Sequence, residues 1–148
     1  MKNHIHINII TPFTNETFMR QLPVSLEEQG FLFFENSLLD RVWDMVVVYE
    51  GLNNQTIIKC KQGGLVFISG EPPLSQKYAS KFLNQFDHLI TSHPKINHQN
   101  NHLSQQALPW HFGIGHKTKC VNYNYKDLID MPLPKKSKKI SIITSNKV

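Results

Sequence analysis

Short apolar segments that end in polar or turn-forming residues recur along the first two-thirds of the chain. At the start, isoleucines alternate with His4, His6 and Asn8 until the segment stops at Thr11 and Pro12. This period of two predicts a β-strand over residues 4–10. Similar segments predict further strands over residues 31–34, 43–49, 65–69 and 87–91. The segment at 43–49 is the most apolar, which is typical of a central strand that is buried on both faces.

Helical patterns separate these strands. Thr14 or Asn15 is suited to cap a short helix that ends before Pro23. From Ser75 onward the period changes, and Tyr78, Phe82 and Phe86 follow at four-residue spacing, which predicts a helix with an apolar stripe. Strands joined by helical crossovers predict an α/β fold, with a Rossmann-like, mostly parallel sheet and flanking helices.

The composition changes in the last third of the chain. Residues 95–126 are polar and rich in His, Asn and Gln, with little periodicity. Residues 132–139 are rich in Pro and Lys, which predicts an exposed linker. A new apolar segment follows at 140–144. We therefore expect one domain over 1–131, a linker over 132–139, and at 140–148 the first strand of a second domain that this chain lacks.

The net charge of +5 is unevenly distributed. Residues 1–134 contain 11 Lys or Arg and 11 Asp or Glu, so the lysines from Lys135 onward supply the whole excess. A neutral folded body argues against nucleic acid as a partner, although a nucleic-acid binder with a basic tail remains the third hypothesis. The lysines between Lys135 and Lys139 are interpreted as a solvated linker, with weak contact to an anionic membrane surface as the alternative.

The 148 residues suffice for one domain, and 40% of them are hydrophobic, which is a globular composition. No apolar run approaches the ~20 residues that a membrane span needs. Cys60 and Cys120 form no framework pattern, so both are expected to be reduced thiols. These features predict a cytoplasmic protein, with a peripheral position at the inner face of the membrane as the alternative.

The candidate chemistry lies where the predicted strands end, because ligands of open parallel sheets bind outside the carboxyl ends of the strands. Glu50, Glu71 and His93 occupy such ends. Glu71 is the candidate general base: Gly70 permits close backbone approach, and Pro72 biases Glu71 toward an extended conformation. The alternative is a solvated loop glutamate.

Other motifs predict less. His98 and His102 have metal-ligand spacing but lack the glutamate of a zincin helix, so solvated loop histidines are the favoured interpretation and no metal is expected. The chain has no Gly-x-Gly-x-x-Gly or Walker-type loop, and therefore no obvious phosphate-binding loop of its own.

Several segments together resemble the family 10 glycosyltransferases, the α-1,3/4-fucosyltransferases that use GDP-fucose. The segments are VFISGEPP at 66–73, Tyr78, FDHLIT at 86–91, LPW at 108–110, and KKISIITSNK at 138–147. The resemblance covers residues 43 to 147 approximately, and it depends on the order and spacing of these motifs.

The resemblance implies one half of a GT-B architecture, namely the N-terminal domain that meets a glycan acceptor of the galactose or N-acetylglucosamine type. Glu71 falls at the position of the family's proposed base in an inverting transfer. The missing C-terminal domain would bind GDP-fucose, so this fragment is expected to hold no cofactor and to be inactive alone. Glu50, His93 and Trp110 are predicted acceptor contacts from their positions, with a place in the core as the alternative for Trp110. The absence of an anchor and of a cysteine framework points to a bacterial enzyme, and the competing hypothesis is a non-catalytic α/β binding module.

Overall fold

The fold is built on a six-stranded parallel sheet with the strand order β2-β1-β3-β4-β5-β6. A computed structural model describes residues 4–13, 19–105, 107, 114–115, 120–133, 135 and 137. The strands are β1 (Ile5–Ile10), β2 (Phe31–Glu35), β3 (Met45–Tyr49), β4 (Leu65–Ile68), β5 (His88–Thr91) and β6 (Asn101–Leu103). The predicted Rossmann-like α/β fold is therefore confirmed.

The apolar segment around Val46 and Val48 forms the centre of the sheet, as predicted. Strand β3 pairs with β1 on one side and with β4 on the other, and both valines are completely buried. The chain runs from β1 outward to β2 and then returns to β3 on the other side of β1. The direction of strand addition thus reverses between β1 and β3, and the carboxyl edge at such a switch point is the usual ligand site of open α/β sheets.

Two aspartates join neighbouring strands at the amino-terminal ends of the strands. Asp44 accepts a hydrogen bond from the backbone N–H of His6 at 2.7 Å, and Asp87 accepts one from Leu65 at 2.9 Å. Each carboxylate satisfies a main-chain donor at the start of the adjacent strand, where the sheet ladder has no partner for it. These contacts help to set the register that brings the carboxyl ends of the strands together.

Phe67 on β4 is the centre of the aromatic core. Its ring is fully buried and packs against Tyr78, Phe82 and Phe86, with centroid distances of 4.9, 5.6 and 5.3 Å. Edge-to-face and tilted arrangements of this kind stabilise a core beyond the area that they bury. The apolar stripe predicted from the four-residue spacing is thus real, and it covers one face of the sheet.

The helix that carries this stripe is shorter than predicted. Helix α2 spans only Ser80–Leu83, whereas the sequence pattern placed its start at Ser75. Ser75 instead belongs to a turn whose N–H bonds to the carbonyl of Pro72, and Ala79 is extended, with ψ 134°. The double proline starts this turn. The aromatic residues that pack on Phe67 therefore come from an irregular segment followed by a single helical turn, and not from one long helix.

The remaining helices are short. A 3-10 turn over Met19–Gln21 occupies the end of the predicted first helix, whose cap candidates Thr14 and Asn15 lie outside the described residues. Helix α1 spans Ser25–Glu28, and helix α3 spans Tyr125–Asp130. A capping box starts α3: Asn124 Oδ1 accepts from the N–H of Asp127, whose carboxylate accepts from the N–H of Asn124.

The C-terminal predictions fall largely beyond what the structure describes. Pro132, Leu133, Lys135 and Ser137 are exposed, whereas 138–148, including the predicted strand at 140–144, lie outside the described residues. The linker and the second domain therefore stay predictions. None of the helices in the described ranges has both the length and the apolar content needed to cross a bilayer.

Candidate active site

Three of the four predicted site residues lie together at the carboxyl edge of the sheet. Glu50 follows β3, Glu71 follows β4 and His93 follows β5, and these three strands are neighbours. Hydrogen bonds connect all three residues. Trp110 lies outside the described residues, and its predicted contact with the acceptor stays a prediction.

Glu50 is held in an unusual backbone conformation. Its φ is 67°, in the left-handed region that most non-glycine residues avoid, and its N–H donates to the carbonyl of Ile68 at 2.9 Å. The side-chain oxygen Oε1 accepts hydrogen bonds from two successive main-chain donors, the N–H of Gly70 and the N–H of Glu71, the latter at 2.7 Å. Successive N–H groups of this kind form an anion-binding nest, and here the Glu50 carboxylate occupies it.

Tyr78 completes the environment of Glu50. Its hydroxyl lies 3.1 Å from Oε1 and 3.0 Å from Oε2. Burial raises the pKa of Tyr78 above its ordinary value, and the hydrogen bond to Glu50 and the nearby carboxylate charges raise it further. The phenol therefore stays neutral and donates its hydrogen to the carboxylate.

Gly70 is required by the close packing at this corner. A Cβ atom at this position would overlap the Tyr49 hydroxyl and lie 2.9 Å from Glu50 Oε1. Burial, together with the charges of Glu50 and Glu71, raises the pKa of Tyr49 to about 12. The expectation that Gly70 permits close backbone approach is confirmed, and the approaching groups are the side chains of the preceding strand end.

His93 holds Glu71 from the other side. The residue is 7% exposed, and its Nε2 lies 3.0 Å from the carbonyl oxygen of Glu71. A carbonyl oxygen only accepts, so Nε2 carries the hydrogen and Nδ1 has the free lone pair when the ring is neutral. The side-chain nitrogen of His93 is thus bonded to the main chain of Glu71.

A polar network on β5 and β6 positions His93 in turn. Thr91 Oγ1 accepts from the N–H of His93 at 3.2 Å and donates to Asn101 Oδ1 at 2.9 Å. The Asn101 amide nitrogen donates to the His93 carbonyl at 3.2 Å. Thr91 is completely buried, so these polar groups satisfy one another away from water.

Glu71 itself presents an exposed carboxylate on a fixed main chain. Its N–H donates to Glu50 and its carbonyl accepts from His93, and no described residue forms a hydrogen bond or ion pair with its side-chain oxygens. Both lone-pair regions of the carboxylate are therefore available to a ligand. Chemically, such a group can accept a proton from a hydroxyl bound at the sheet edge.

The switch point lies beside this cluster. The N–H of Thr11 donates to Asn36 Oδ1 at 3.0 Å, and Asn36 has a left-handed φ of 47°. Asn53 Nδ2 donates to the carbonyl of Pro12 at 3.2 Å. The loops after β1, β2 and β3 are thus tied together where the strand order reverses, next to Glu50.

The supporting residues were harder to infer from sequence than the carboxylates. Tyr78 stands within an apolar stripe, where its hydroxyl gives no separate signal, and Thr91 ends a strand without any distinguishing neighbour. Asn101 lies in the polar segment that has little periodicity. The sequence does not single out Asn101, because its register with β5 is known only from the structure.

The histidines with metal-ligand spacing do not converge on one site. His98 Nε2 contacts the carbonyl of Phe86 at 3.1 Å, whereas His102 Nε2 lies 3.3 Å from His88 Nδ1. Across the described ranges, no group of three or more His, Cys, Asp or Glu side chains is placed to hold a metal ion.

Comparison with known proteins adds no relative. The chain matches no family model, no curated protein and no solved structure. What the protein does is therefore inferred from its own residues.

Proposed function

We propose that this chain is the acceptor-side domain of an inverting, fucosyltransferase-like glycosyltransferase and that Glu71 is its general base. The observation that supports the proposal is the exposed carboxylate of Glu71 on a main chain bonded on both sides, to Glu50 and to His93. A base must be held within hydrogen-bond reach of the proton that it accepts, and a fixed main chain at the ligand-binding edge meets that requirement.

In the proposed reaction, Glu71 accepts the proton of an acceptor hydroxyl as its oxygen attacks the anomeric carbon of fucose. The bond between that carbon and the GDP oxygen breaks on the opposite face, so the configuration inverts and GDP leaves with the electron pair. The products are the fucosylated glycan, GDP, and a protonated Glu71 that returns its proton to water. The identity of the donor as GDP-fucose rests on the sequence resemblance, as does its placement on a second, GT-B-type domain.

The neighbouring residues have positioning roles in this proposal. Glu50 and His93 bond to the main chain of Glu71 rather than to its carboxylate, so they fix where the base lies. The hydroxyl of neutral Tyr78 keeps the Glu50 carboxylate in place. Acceptor contacts by Glu50, His93 and Trp110 belong to the same proposal, with the sugar held over the sheet edge.

The rest of the proposed organisation concerns the C-terminal segment. The exposure of Pro132, Leu133 and Lys135 supports a solvated linker between two domains. We also propose a cytoplasmic location, with the lysines between Lys135 and Lys139 available to an anionic membrane surface.

The test is a transfer assay on the complete gene product that contains this chain. Transfer from GDP-fucose to a panel of galactose- and N-acetylglucosamine-containing acceptors is measured for the natural protein and for Glu71→Gln. Loss of a general base typically lowers kcat by about 10² to 10⁴. Glu27→Gln, at an exposed glutamate on α1, is the matched control and should leave kcat unchanged.

Two results would contradict the proposal. If Glu71→Gln turns over at the natural rate, Glu71 is a solvated glutamate and another group accepts the proton. If the complete product transfers no sugar to any acceptor of the panel, the non-catalytic binding module becomes the better hypothesis.

A further inference from the structure

A groove lies on the face of the sheet where a helix would be expected. The chain that joins β3 to β4, residues 50–64, contains no helix, although parallel strands are usually joined by one. Between this connection and α2 the surface encloses a groove of about 530 Å³. This volume lies within the range of about 300–1,000 Å³ that is typical of ligand sites.

The chemistry of the groove is neutral throughout. Its apolar wall includes Phe82 and Phe86, and its polar rim includes the side-chain amides of Asn54, Gln55 and Gln85. None of the residues that line it, all within the described range 19–105, carries a charge. The amides of Asn54 and Gln55 make no hydrogen bond to any described residue, so they are available to a ligand.

This lining favours a saccharide over other ligand classes. Amide side chains both donate and accept hydrogen bonds, as sugar hydroxyls do. An aromatic wall suits the apolar C–H face of a sugar ring. A nucleotide or another phosphate ligand would need cationic side chains or a backbone nest, and a charged ligand buried here would have no partner.

One end of the groove lies close along the chain to Glu50, the residue that holds the main chain of the candidate base. Its first wall starts at Leu52, two residues after Glu50, and its second wall follows Tyr78 along the chain. The hydrogen bonds between the Tyr78 hydroxyl and the Glu50 carboxylate connect the chain segments that precede the two walls. Asn53, in the first wall, is bonded to Pro12 at the switch point. From Leu52 the groove extends to Leu65 and Phe86, near the amino ends of β4 and β5. A glycan that reaches from Glu71 into the groove must therefore contain several sugars.

We infer that the groove between residues 52–58 and α2 is a saccharide subsite, which holds acceptor sugars that are remote from the reacting hydroxyl. The inference rests on the proposed function, because it takes the ligand to be the acceptor glycan. It adds a substrate class: the natural acceptor is an oligosaccharide longer than a disaccharide, and the sugars in the groove increase its affinity.

The first test is a comparison of acceptors of different length. In the complete gene product, kcat/KM is measured for a disaccharide and for a tetrasaccharide that carries it at one end. Both are measured with the natural protein and with the double variant Asn54→Ala/Gln55→Ala. The loss of two or more hydrogen bonds should lower kcat/KM for the tetrasaccharide by about tenfold, with the disaccharide unchanged. Asn84→Ala, at an exposed neighbour of Gln85 that does not line the groove, is the control and should change neither value.

The second test is independent of turnover. Amide resonances of residues 52–56 and 82–86 in this chain should shift on addition of the tetrasaccharide, and they should not shift on addition of GDP. Equal kcat/KM values for both acceptors, or no shift with any oligosaccharide of the panel, would overturn the inference even if Glu71→Gln is inactive. Conversely, shifts that vanish in the double variant, combined with normal turnover by Glu71→Gln, would retain the saccharide site and reject the proposed base. Shifts caused by GDP would mean that the groove binds a nucleotide and would overturn the saccharide assignment.

Discussion

The carboxylate of Glu50 accepts a hydrogen bond from the main-chain N–H of Glu71 at 2.7 Å, so one strand-end glutamate fixes the backbone of the next. The same oxygen accepts from Gly70 N–H, and Tyr78 donates to the carboxylate from the side. Hydrogen bonds to a charged acceptor are about twice as strong as those between neutral groups. The position of the candidate base therefore depends on a neighbour that need not touch the substrate.

We expect Glu50→Ala to lower kcat by about tenfold or more, because a 1 Å misplacement of a catalytic group can lower the rate by about 10²-fold. The same variant should lower the free energy of unfolding by about 2–3 kcal/mol, since two backbone donors lose their acceptor. Steady-state kinetics and urea denaturation measure the two effects.

Glu50→Gln is the conservative partner of that variant. Its amide oxygen can still accept from both N–H groups, so most of kcat and most of the stability should return. If Glu50→Ala is destabilised but retains the natural kcat, Glu50 supports the fold without positioning the base.

We expect Tyr78→Phe to lower the free energy of unfolding by about 1–2 kcal/mol at neutral pH, because Glu50 loses a donor. The effect should also depend on pH. Tyrosine ionises near 10 when unfolded, and the pKa of Tyr78 is raised in the folded state. A group whose pKa is raised by folding contributes stability below its unfolded pKa and loses that contribution as the pH rises.

The natural protein should therefore lose stability steadily above pH 10. Tyr78→Phe should lose less over the same range, and thermal unfolding between pH 8 and the alkaline limit measures the difference. Parallel alkaline slopes in the two proteins would show that Tyr78 does not carry this dependence. The alkaline loss of stability would then be assigned to Tyr49, whose pKa is raised to about 12.

The strands could be predicted because apolar residues alternate or cluster in short runs that end in turn-forming or polar residues, a pattern typical of half-buried and fully buried strands. Strand β6 was not predicted, since it has three residues, lies at the edge of the sheet and leaves Leu103 62% exposed. An exposed edge strand needs no apolar pattern. The helix from Ser75 was overestimated for a different reason: spacing reveals which side chains share a face, but the turn after Pro72 decides how the backbone delivers them.

The sequence predicts which residues lie at the carboxyl ends of the strands, but not how their side chains interact. Parallel topology places all strand ends on one side, which is why Glu50, Glu71 and His93 could be grouped from the sequence. What each side chain does depends on rotamers and on left-handed backbone at Glu50, and no local pattern encodes these. The bonds from Glu50 and His93 to the main chain of Glu71 required coordinates.

Gly70→Ala should destabilise the protein by about 1–3 kcal/mol, because the new methyl group would overlap the Tyr49 hydroxyl and press on Glu50. Denaturant titration measures the loss. In the Tyr49→Phe background the hydroxyl is absent. There Gly70→Ala should lower the free energy of unfolding by less than it does in the natural protein. Purely additive effects of the two substitutions would mean that the Tyr49 hydroxyl is not the limiting contact.

At the amino edge of the sheet, Asp44 should make stability depend on acid. The hydrogen bond from the His6 N–H and the ion pair with Lys61 lower the pKa of Asp44 to about 2, from 3.8. A carboxylate whose pKa is lowered by folding contributes stability above its unfolded pKa and loses it as the pH falls through the folded value. The contribution should therefore be complete at pH 5 and above and should disappear between about pH 4 and pH 2.

Asp44→Asn should accordingly lower the free energy of unfolding by about 1–2 kcal/mol at neutral pH, a value reduced for partial solvent screening. The difference from the natural protein should shrink toward zero near pH 2. Asp40 supplies a matched control, because it also pairs with a lysine, Lys59, but its side chain is 81% exposed against 20% for Asp44. An exposed pair contributes at most about 1 kcal/mol, so Asp40→Asn should show little dependence on acid. Urea titrations of both variants from pH 7 to pH 2 measure the difference. Equal acid dependence of the two variants would contradict the prediction that Asp44 contributes more to stability than the exposed Asp40.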